Sequence, residues 1–311
     1  MTLFDRALVR VLPAVPRPLV RRLSERYIAG ATLADACRVV SELNARGRVA
    51  TIDVLGEEVT RREEARALVE EYTEVFETIR EQGLDSNVSV KPTGVGLKLD
   101  RDFCRDNVAE IVRCAEERGN FVRIDMEDAS TTSDTLAVYR ELREQGLERV
   151  GVVLQARLHR TLDDVAALAD LKPSVRICKG IYLEPPEIAY EDFQEIRENF
   201  VRSMEALVGI GAPLAIATHD EWLVDEALAL VEREGLETGE YEFQMLLGVR
   251  EPLGDRLVAD GHRLRIYVPY GRRWYEYSMR RLQENPKVAT YIARDTVGRL
   301  LPLGNGRRAS A

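Results

Sequence analysis

The chain has 311 residues, of which 45% are hydrophobic and 31% are charged, and its formal net charge is -9 at pH 7. This composition is typical of a globular protein with a large core, and the acidic balance argues against a general nucleic-acid binder. Four cysteines without a C-x-x-C pair are too few for a disulfide framework and indicate a reducing compartment.

The first residues do not show the pattern of a signal sequence. Pro13, Pro16 and Pro18 interrupt the apolar character that such a sequence needs. No apolar run approaches the length of a membrane span. We therefore expect a cytoplasmic protein, and peripheral contact with the inner face of a membrane stays open.

Residues 1–48 form the first predicted segment, a helical arm. Thr32 and Asp35 make a capping pattern before apolar residues at helical spacing, and Gly47 is placed to end that helix. We expect this arm to pack on the main body.

From residue 49 onward, short apolar runs alternate with amphipathic segments that are rich in charge. Eight runs are predicted strands: 49–55, 87–92, 121–126, 150–155, 175–180, 214–218, 241–246 and 263–269. Helical patterns lie between them, for example over 62–83, 107–119 and 134–146. The sequence thus predicts an α/β fold, a distorted (βα)8 TIM-like barrel over residues 49–300, with a disordered tail over 301–311.

A doubly wound open sheet is the main structural alternative. It would normally carry a G-x-G-x-x-G fingerprint after its first strand, and this chain has only Gly94-Val95-Gly96 after the second. That shorter pattern favours a turn. A dinucleotide held in the Rossmann manner is therefore not expected.

The segment 263–285 combines the last predicted strand with a helix. One face of the helix is apolar, and the opposite face carries Tyr277, Arg280, Arg281 and Glu284. Such a face is often only solvated and joined by ion pairs between neighbouring turns. Adjacent arginines with a tyrosine one turn away also suit a clamp for a substrate carboxylate.

Polar side chains follow the predicted strands at the end where barrel enzymes place their chemistry. Each has an ordinary structural alternative, such as a loop lysine, a turn cap, a buried pair or a loop histidine. Together they predict a cationic mouth. These side chains belong to Lys91, Asp125, Gln155, Arg176, Lys179, Thr218, His219 and Tyr267, and Gly180 lies between the fifth predicted strand and its loop.

Several familiar catalytic motifs are missing from the sequence. It has no H-E-x-x-H, no cysteine quartet and no G-x-S-x-G, so neither a metal site nor a serine nucleophile is predicted. Two enzymatic uses of a cationic mouth remain, an electron-accepting organic cofactor or a Schiff-base lysine at Lys91 or Lys179. A module that only binds small acids is the non-enzymatic alternative.

Seven collinear motifs resemble those of the proline dehydrogenase family in its short bacterial form. They are IDMED at 124–128, VVLQ at 152–155, VRICKG at 175–180, ATHD at 217–220, EFQML at 242–246, IYVPYG at 266–271 and YSMRR at 277–281. The resemblance implies oxidation of L-proline to 1-pyrroline-5-carboxylate, non-covalent FAD across the mouth of the barrel, and a quinone as electron acceptor.

The resemblance also implies roles for single residues. Lys91, Arg280 and Arg281 match positions for the proline carboxylate, Tyr267, Tyr277 and Leu246 match those around its ring, and Asp125 and Arg176 match catalytic positions. The matching FAD positions are Met126, Gln155, Arg176, Lys179, Gly180, Ile181, Thr218, His219 and Glu284. The chain departs from the family at Ile181, where a small residue is common, and at Leu183, where some relatives have an aromatic one.

Overall fold

Eight parallel strands close into one barrel and follow one another around it in chain order. The structure, a computed structural model, describes residues 26–275 and 277–279. Tyr27–Arg272 form one compact unit that contains the barrel, and the described residues from Arg273 onward belong to a second unit. The predicted (βα)8 TIM-like barrel is confirmed.

The predicted strands agree with the structure to within a few residues at their ends. The strands are β1 Val49–Val54, β2 Ser86–Val90, β3 Val122–Ile124, β4 Val150–Gln155, β5 Ser174–Cys178, β6 Leu214–Ala217, β7 Tyr241–Leu246 and β8 Leu264–Tyr270. The α-helices are α1 Leu33–Asn44, α2 Arg62–Glu81, α3 Arg101–Glu117, α4 Ala129–Glu144, α5 Thr161–Leu168, α6 Phe193–Gly209, α7 Glu221–Glu234 and α8 Glu251–Ala259, and a 3₁₀ turn spans Ala169–Leu171.

Aspartate caps explain where several helices begin. Thr32 and Asp35 form the predicted capping box of α1. The helices α3 and α4 begin earlier than their apolar patterns predict, because the carboxylates of Asp100 and Asp128 accept hydrogen bonds from the first-turn amides. The capped first turns are polar, so hydrophobic spacing alone does not reveal them.

The main core lies between the barrel and its ring of helices. Strand residues such as Ile52, Val90 and Ile124 are fully buried there, and they share one apolar cluster with Phe76 on α2 and Phe200 on α6. Each such side chain contributes about 1.5–3 kcal/mol when it is buried. These contacts hold the strands in register and leave the inside of the barrel for other residues.

The Gly94-Val95-Gly96 segment forms turns after β2, as expected. The loop after β1 comes so close that a Cβ atom added at Gly94 would lie 2.2 Å from the backbone oxygen of Gly56. The close approach of these two loops therefore requires glycine at position 94.

We expect Gly94→Ala to lower the free energy of unfolding by about 1–3 kcal/mol, because two backbone segments must separate. Gly209→Ala is the matched control, since Gly209 ends α6 and an added Cβ there meets nothing within 4 Å. That variant should be neutral or stabilised by up to about 1 kcal/mol. Urea denaturation measures both changes, and equal effects would show that the two loops can separate freely.

Candidate active site

The inside of the barrel is lined largely with polar and charged side chains, which alternate along most strands with residues that face outward. Hydrogen bonds join strands that are not neighbours, such as β3 with β5 and β5 with β7, which places these side chains inside the barrel. A barrel interior is usually filled with branched apolar residues. This one contains Thr51, Asp53, Asn87, Ser89, Arg123, Asp125, Arg176, Glu242, Gln244, Arg265 and Tyr267.

Lys91 lies just after β2 and is buried among carboxylates. Its Nζ donates to the two carboxylate oxygens of Asp53 at 2.8 and 2.7 Å, and lies 3.6 Å from Asp125 and 3.7 Å from Glu57. Burial alone would lower the pKa of Lys91, but the surrounding negative charges outweigh it and hold that pKa well above its usual range. Lys91 is therefore a fixed cation.

The carboxylate of Asp53 completes this pair. Burial is the largest influence on it and raises its pKa to about 6, while the charge of Lys91 acts in the opposite direction. At neutral pH the site therefore holds a largely buried ion pair.

Asp125 joins the ends of three strands. Its Oδ1 accepts from Arg176 Nη1 on β5 and from Ser89 Oγ on β2, both at 2.7 Å. Arg176 Nε also donates to Gln244 Oε1 on β7 at 2.6 Å. The guanidinium is thus held in one orientation from both sides of the barrel.

Tyr267 connects the lysine and arginine ends of this network. Its hydroxyl accepts from Lys91 Nζ at 2.9 Å and donates to Asp125 Oδ2 at 3.3 Å. Its ring lies under both cations, with centroid distances of 5.6 Å to Lys91 Nζ and 5.7 Å to Arg176 Cζ. At the end of β7, the backbone amide of Leu246 donates to His219 Nε2 at 2.9 Å.

A second polar group lies beside the ends of β3 and β4. Gln155 Nε2 donates to the backbone oxygen of Glu127 at 2.8 Å, and Thr93 donates to the Glu127 carboxylate through both its amide and its hydroxyl. Burial raises the pKa of Glu127, opposed by those hydrogen bonds. Met126 lies between Asp125 and Glu127 in the sequence, and its side chain is buried in the apolar core cluster.

The residues after β5 and β6 form a third group. Lys179 Nζ and the Arg197 guanidinium both donate to the carboxylate of Asp220, and both cations lie over the ring of Phe193. Burial raises the pKa of Asp220, but these two donors outweigh it and lower the pKa to about 2. Thr218 Oγ1 accepts from the Asp220 amide at 3.1 Å, which fixes the start of α7.

The loop after β5 continues from this group to the outside of the barrel. Gly180 adopts a φ of 93°, and a Cβ there would meet Gln155 Oε1 at 2.8 Å, so glycine is required. Ile181 is 45% exposed and Leu183 is 90% exposed. The mouth therefore combines buried charges with apolar side chains that are open to solvent.

Four predicted site residues cannot be placed in this cluster. Arg280, Arg281 and Glu284 lie outside the described residues. Tyr277 lies in the second unit, in a helical turn where its amide donates to the Arg273 carbonyl. Within the described parts of the chain, no group of histidine, cysteine, aspartate or glutamate residues could hold a metal ion, and no helix is long and apolar enough to cross a membrane.

The residues that were not predicted from the sequence include Asp53, Ser89 and Gln244. A signal for them exists, because each lies two positions from another polar residue within an apolar strand. The apolar runs alone predict only buried strands, and the alternation within each run is what indicates which side chains face the inside of the barrel.

The geometry also bears on the Schiff-base alternative. A lysine nucleophile must lose its proton, which the carboxylates around Lys91 oppose by raising its pKa. Burial lowers the pKa of Lys179, but its ammonium remains bound to Asp220. Neither lysine is prepared for nucleophilic attack.

We expect Asp53→Asn to lower the free energy of unfolding by about 2–4 kcal/mol, because Lys91 would keep its charge and lose its closest partner. The matched control is Asp106→Asn, which removes a 68% exposed partner of Arg105 and should change stability by less than about 0.5 kcal/mol. Urea denaturation at pH 7 measures both. Similar small effects would mean that the Lys91 pair contributes little.

Comparison with known proteins places the chain in a family. The family model for proline dehydrogenase matches residues 36–294. Proline dehydrogenase of Deinococcus radiodurans is 36% identical over 91% of this chain and 95% of its own length. Proline dehydrogenase 2 of Bacillus subtilis (strain 168) is 37% identical over 84% of this chain and 86% of its own length. The structure of proline utilization A from Bdellovibrio bacteriovorus has the same fold, with a TM-score of 0.81, 23% identity and coverage of 96% of this chain and 38% of that one. The chain belongs to the proline dehydrogenase family, whose members are oxidoreductases that act on proline.

Proposed function

We propose that this protein oxidises L-proline to 1-pyrroline-5-carboxylate with non-covalently bound FAD, and passes the electrons to a quinone. The observation that carries this function is the continuous network from Lys91 through Tyr267 and Asp125 to Arg176. It provides an oriented aromatic side chain between two fixed cations at the end of the barrel where the family's enzymes act on substrate.

The substrate carboxylate would be held by Arg280, Arg281 and Lys91. Adjacent guanidiniums on the helix that the sequence predicts for these residues would suit a bidentate hold on a carboxylate. Lys91 already donates to Asp53 and Tyr267, so the substrate would share an ammonium whose position is fixed. Holding one end of a small molecule in this way can supply on the order of 7–11 kcal/mol of the barrier in favourable cases.

The proline ring would pack against Tyr267, Leu246 and Tyr277. Neighbours in the barrel fix both the ring and the hydroxyl of Tyr267. A ring held flat against it has few orientations open to it. That restriction would direct C5 of proline toward the cofactor, the alignment that the reaction needs.

Arg176 and Asp125 would act next to the reacting atoms. The Arg176 guanidinium is buried and oriented by Asp125 and Gln244, so its charge is in place before the reaction begins. A fixed positive charge beside an electron-accepting ring favours the electron-rich state without reorganisation. Asp125 would balance the cations while the substrate is absent and accept hydrogen bonds from both sides.

The mouth of the barrel suits a large cofactor such as FAD. Glycine is required at position 180 beside Gln155, and the neighbouring apolar side chains of Ile181 and Leu183 are exposed. Bound FAD would supply the acceptor for the hydride from C5 of proline. The residues that would hold it are Met126, Gln155, Arg176, Lys179, Gly180, Ile181, Thr218, His219 and Glu284.

A quinone as acceptor would connect this reaction to the membrane. Quinones are carried in the bilayer, so a cytoplasmic enzyme would make weak peripheral contact at the inner face. The exposed Ile181 and Leu183 at the mouth supply apolar surface where such an acceptor could approach.

The absorption spectrum of the purified protein tests the cofactor and the substrate together. We expect flavin bands near roughly 450 nm that L-proline bleaches in the absence of oxygen. L-Proline methyl ester, which has no free carboxylate, should bleach them far more slowly. A colourless protein that is inactivated by borohydride with substrate would instead indicate a Schiff base.

The clamp predicts a specific kinetic change. Arg281→Met should weaken proline binding by about 2–5 kcal/mol, which raises KM at least about 30-fold. Arg233→Met is the matched control, because Arg233 lies on α7, is 57% exposed and pairs only with surface glutamates in the described part of the chain. A KM for proline that stays the same in Arg281→Met would reject the clamp.

A further inference from the structure

The opposite, N-terminal end of the barrel contains a cavity of about 640 Å³. Arg123, Ser174, Glu242 and Arg265 line its inner wall. The whole lining carries five arginine side chains against three carboxylates, so its charge is positive. None of these residues belongs to the site proposed for proline or FAD.

Arg123 differs from the other cations inside the barrel. Lys91 pairs with Asp53, Arg176 with Asp125 and Arg265 with Glu242, each at 2.7 Å. Among the residues that the structure describes, no carboxylate lies within ion-pair distance of Arg123. A buried guanidinium thus lines the cavity without a carboxylate at ion-pair distance in the described part of the chain.

The contacts of Arg123 leave part of its hydrogen-bonding capacity unused. Nη1 donates to the backbone oxygens of Val152 and Ser174, and Nη2 donates to the Ser174 hydroxyl at 3.0 Å. Its Nε is buried and has no hydrogen-bond partner among the residues that the structure describes. A buried donor in this state calls for an explanation, and a bound ion is one of the few available.

The energetics point in the same direction. A buried charge without a partner costs free energy, and the mutual repulsion of like charges adds to that cost. Burial lowers the pKa of Arg123, and the positive charges of Arg176 and Arg265 lower it further, with partial compensation from Glu242. A negative charge beside Arg123 would offset both effects.

We propose that this cavity binds a small oxyanion, either a carboxylate or an inorganic oxyanion, against the Arg123 guanidinium. The Nε and Nη2 edge of arginine matches two oxygens of such an ion, and the Ser174 hydroxyl can turn to donate as well. The carboxylate of Glu242 is already held by Arg265 and Arg263, at 2.7 and 3.3 Å. The site lies at the end of the barrel opposite the mouth, so an ion there need not compete with proline.

Thermal unfolding of the full-length protein tests this site. At constant ionic strength, replacing chloride by sulfate, phosphate or acetate should raise Tm in a saturable manner, by on the order of 2–4 °C at tenfold excess over Kd. A larger shift of Tm with acetate than with phosphate or sulfate indicates a carboxylate ligand, and the reverse order indicates an inorganic oxyanion. Arg123→Gln should lose the saturable part and keep the linear salt effect.

Arg80→Gln is the matched control, because Arg80 lines the same cavity from an exposed position and should keep the saturable response. A saturable response that survives in Arg123→Gln, or no saturable response in the wild type, would overturn the proposal. If Arg123→Gln does not fold, crystals of the wild type in selenate decide the matter. An anomalous peak placed so that the oxygens of selenate accept hydrogen bonds from Arg123 supports the site, and an ordered water alone contradicts it.

Discussion

Inside this barrel, the ion pair between Asp125 and Arg176 connects the end of β3 with β5, two strands that do not pair with each other in the sheet. Asp125 follows β3, Arg176 lies on β5, and their partners Ser89 and Gln244 extend the contact to β2 and β7. Tyr267 brings β8 into the same network. The orientations of Ser89, Gln244 and Tyr267 therefore depend on this pair.

Such an interior is tolerated because the barrel does not rely on it for most of its core. The apolar side chains of the strands pack outward against the helices in one continuous cluster. Buried ion pairs add little net stability, since desolvation offsets much of the attraction, but an unpaired member is costly. The interior is thus organised by pairing, with Arg123 as the exception among its strand cations in the described part of the chain.

Much of this arrangement could be predicted from the sequence. Short apolar runs of strand length predict the eight strands, and their polar ends predict that Lys91, Asp125 and Arg176 meet at one mouth. Side-chain pairings across the barrel could not be predicted. The hydrogen bond from Arg176 to Gln244, for example, connects β5 with β7, which are not neighbouring strands. Asp53 is not predicted as a site residue for a related reason. It lies within the apolar run of β1, and only the alternation of polar and apolar residues along that strand indicates that its side chain faces the inside of the barrel.

Asp125 and Arg176 act as one unit, and a double-mutant cycle measures the coupling between them directly. The free energies of unfolding of Asp125→Asn, Arg176→Gln and the double variant, each determined by urea denaturation at pH 7, give the coupling energy. A coupling of about 2 kcal/mol or more is predicted, because either single change leaves a buried partner unpaired. Additive changes, with a coupling below about 0.5 kcal/mol, would contradict it.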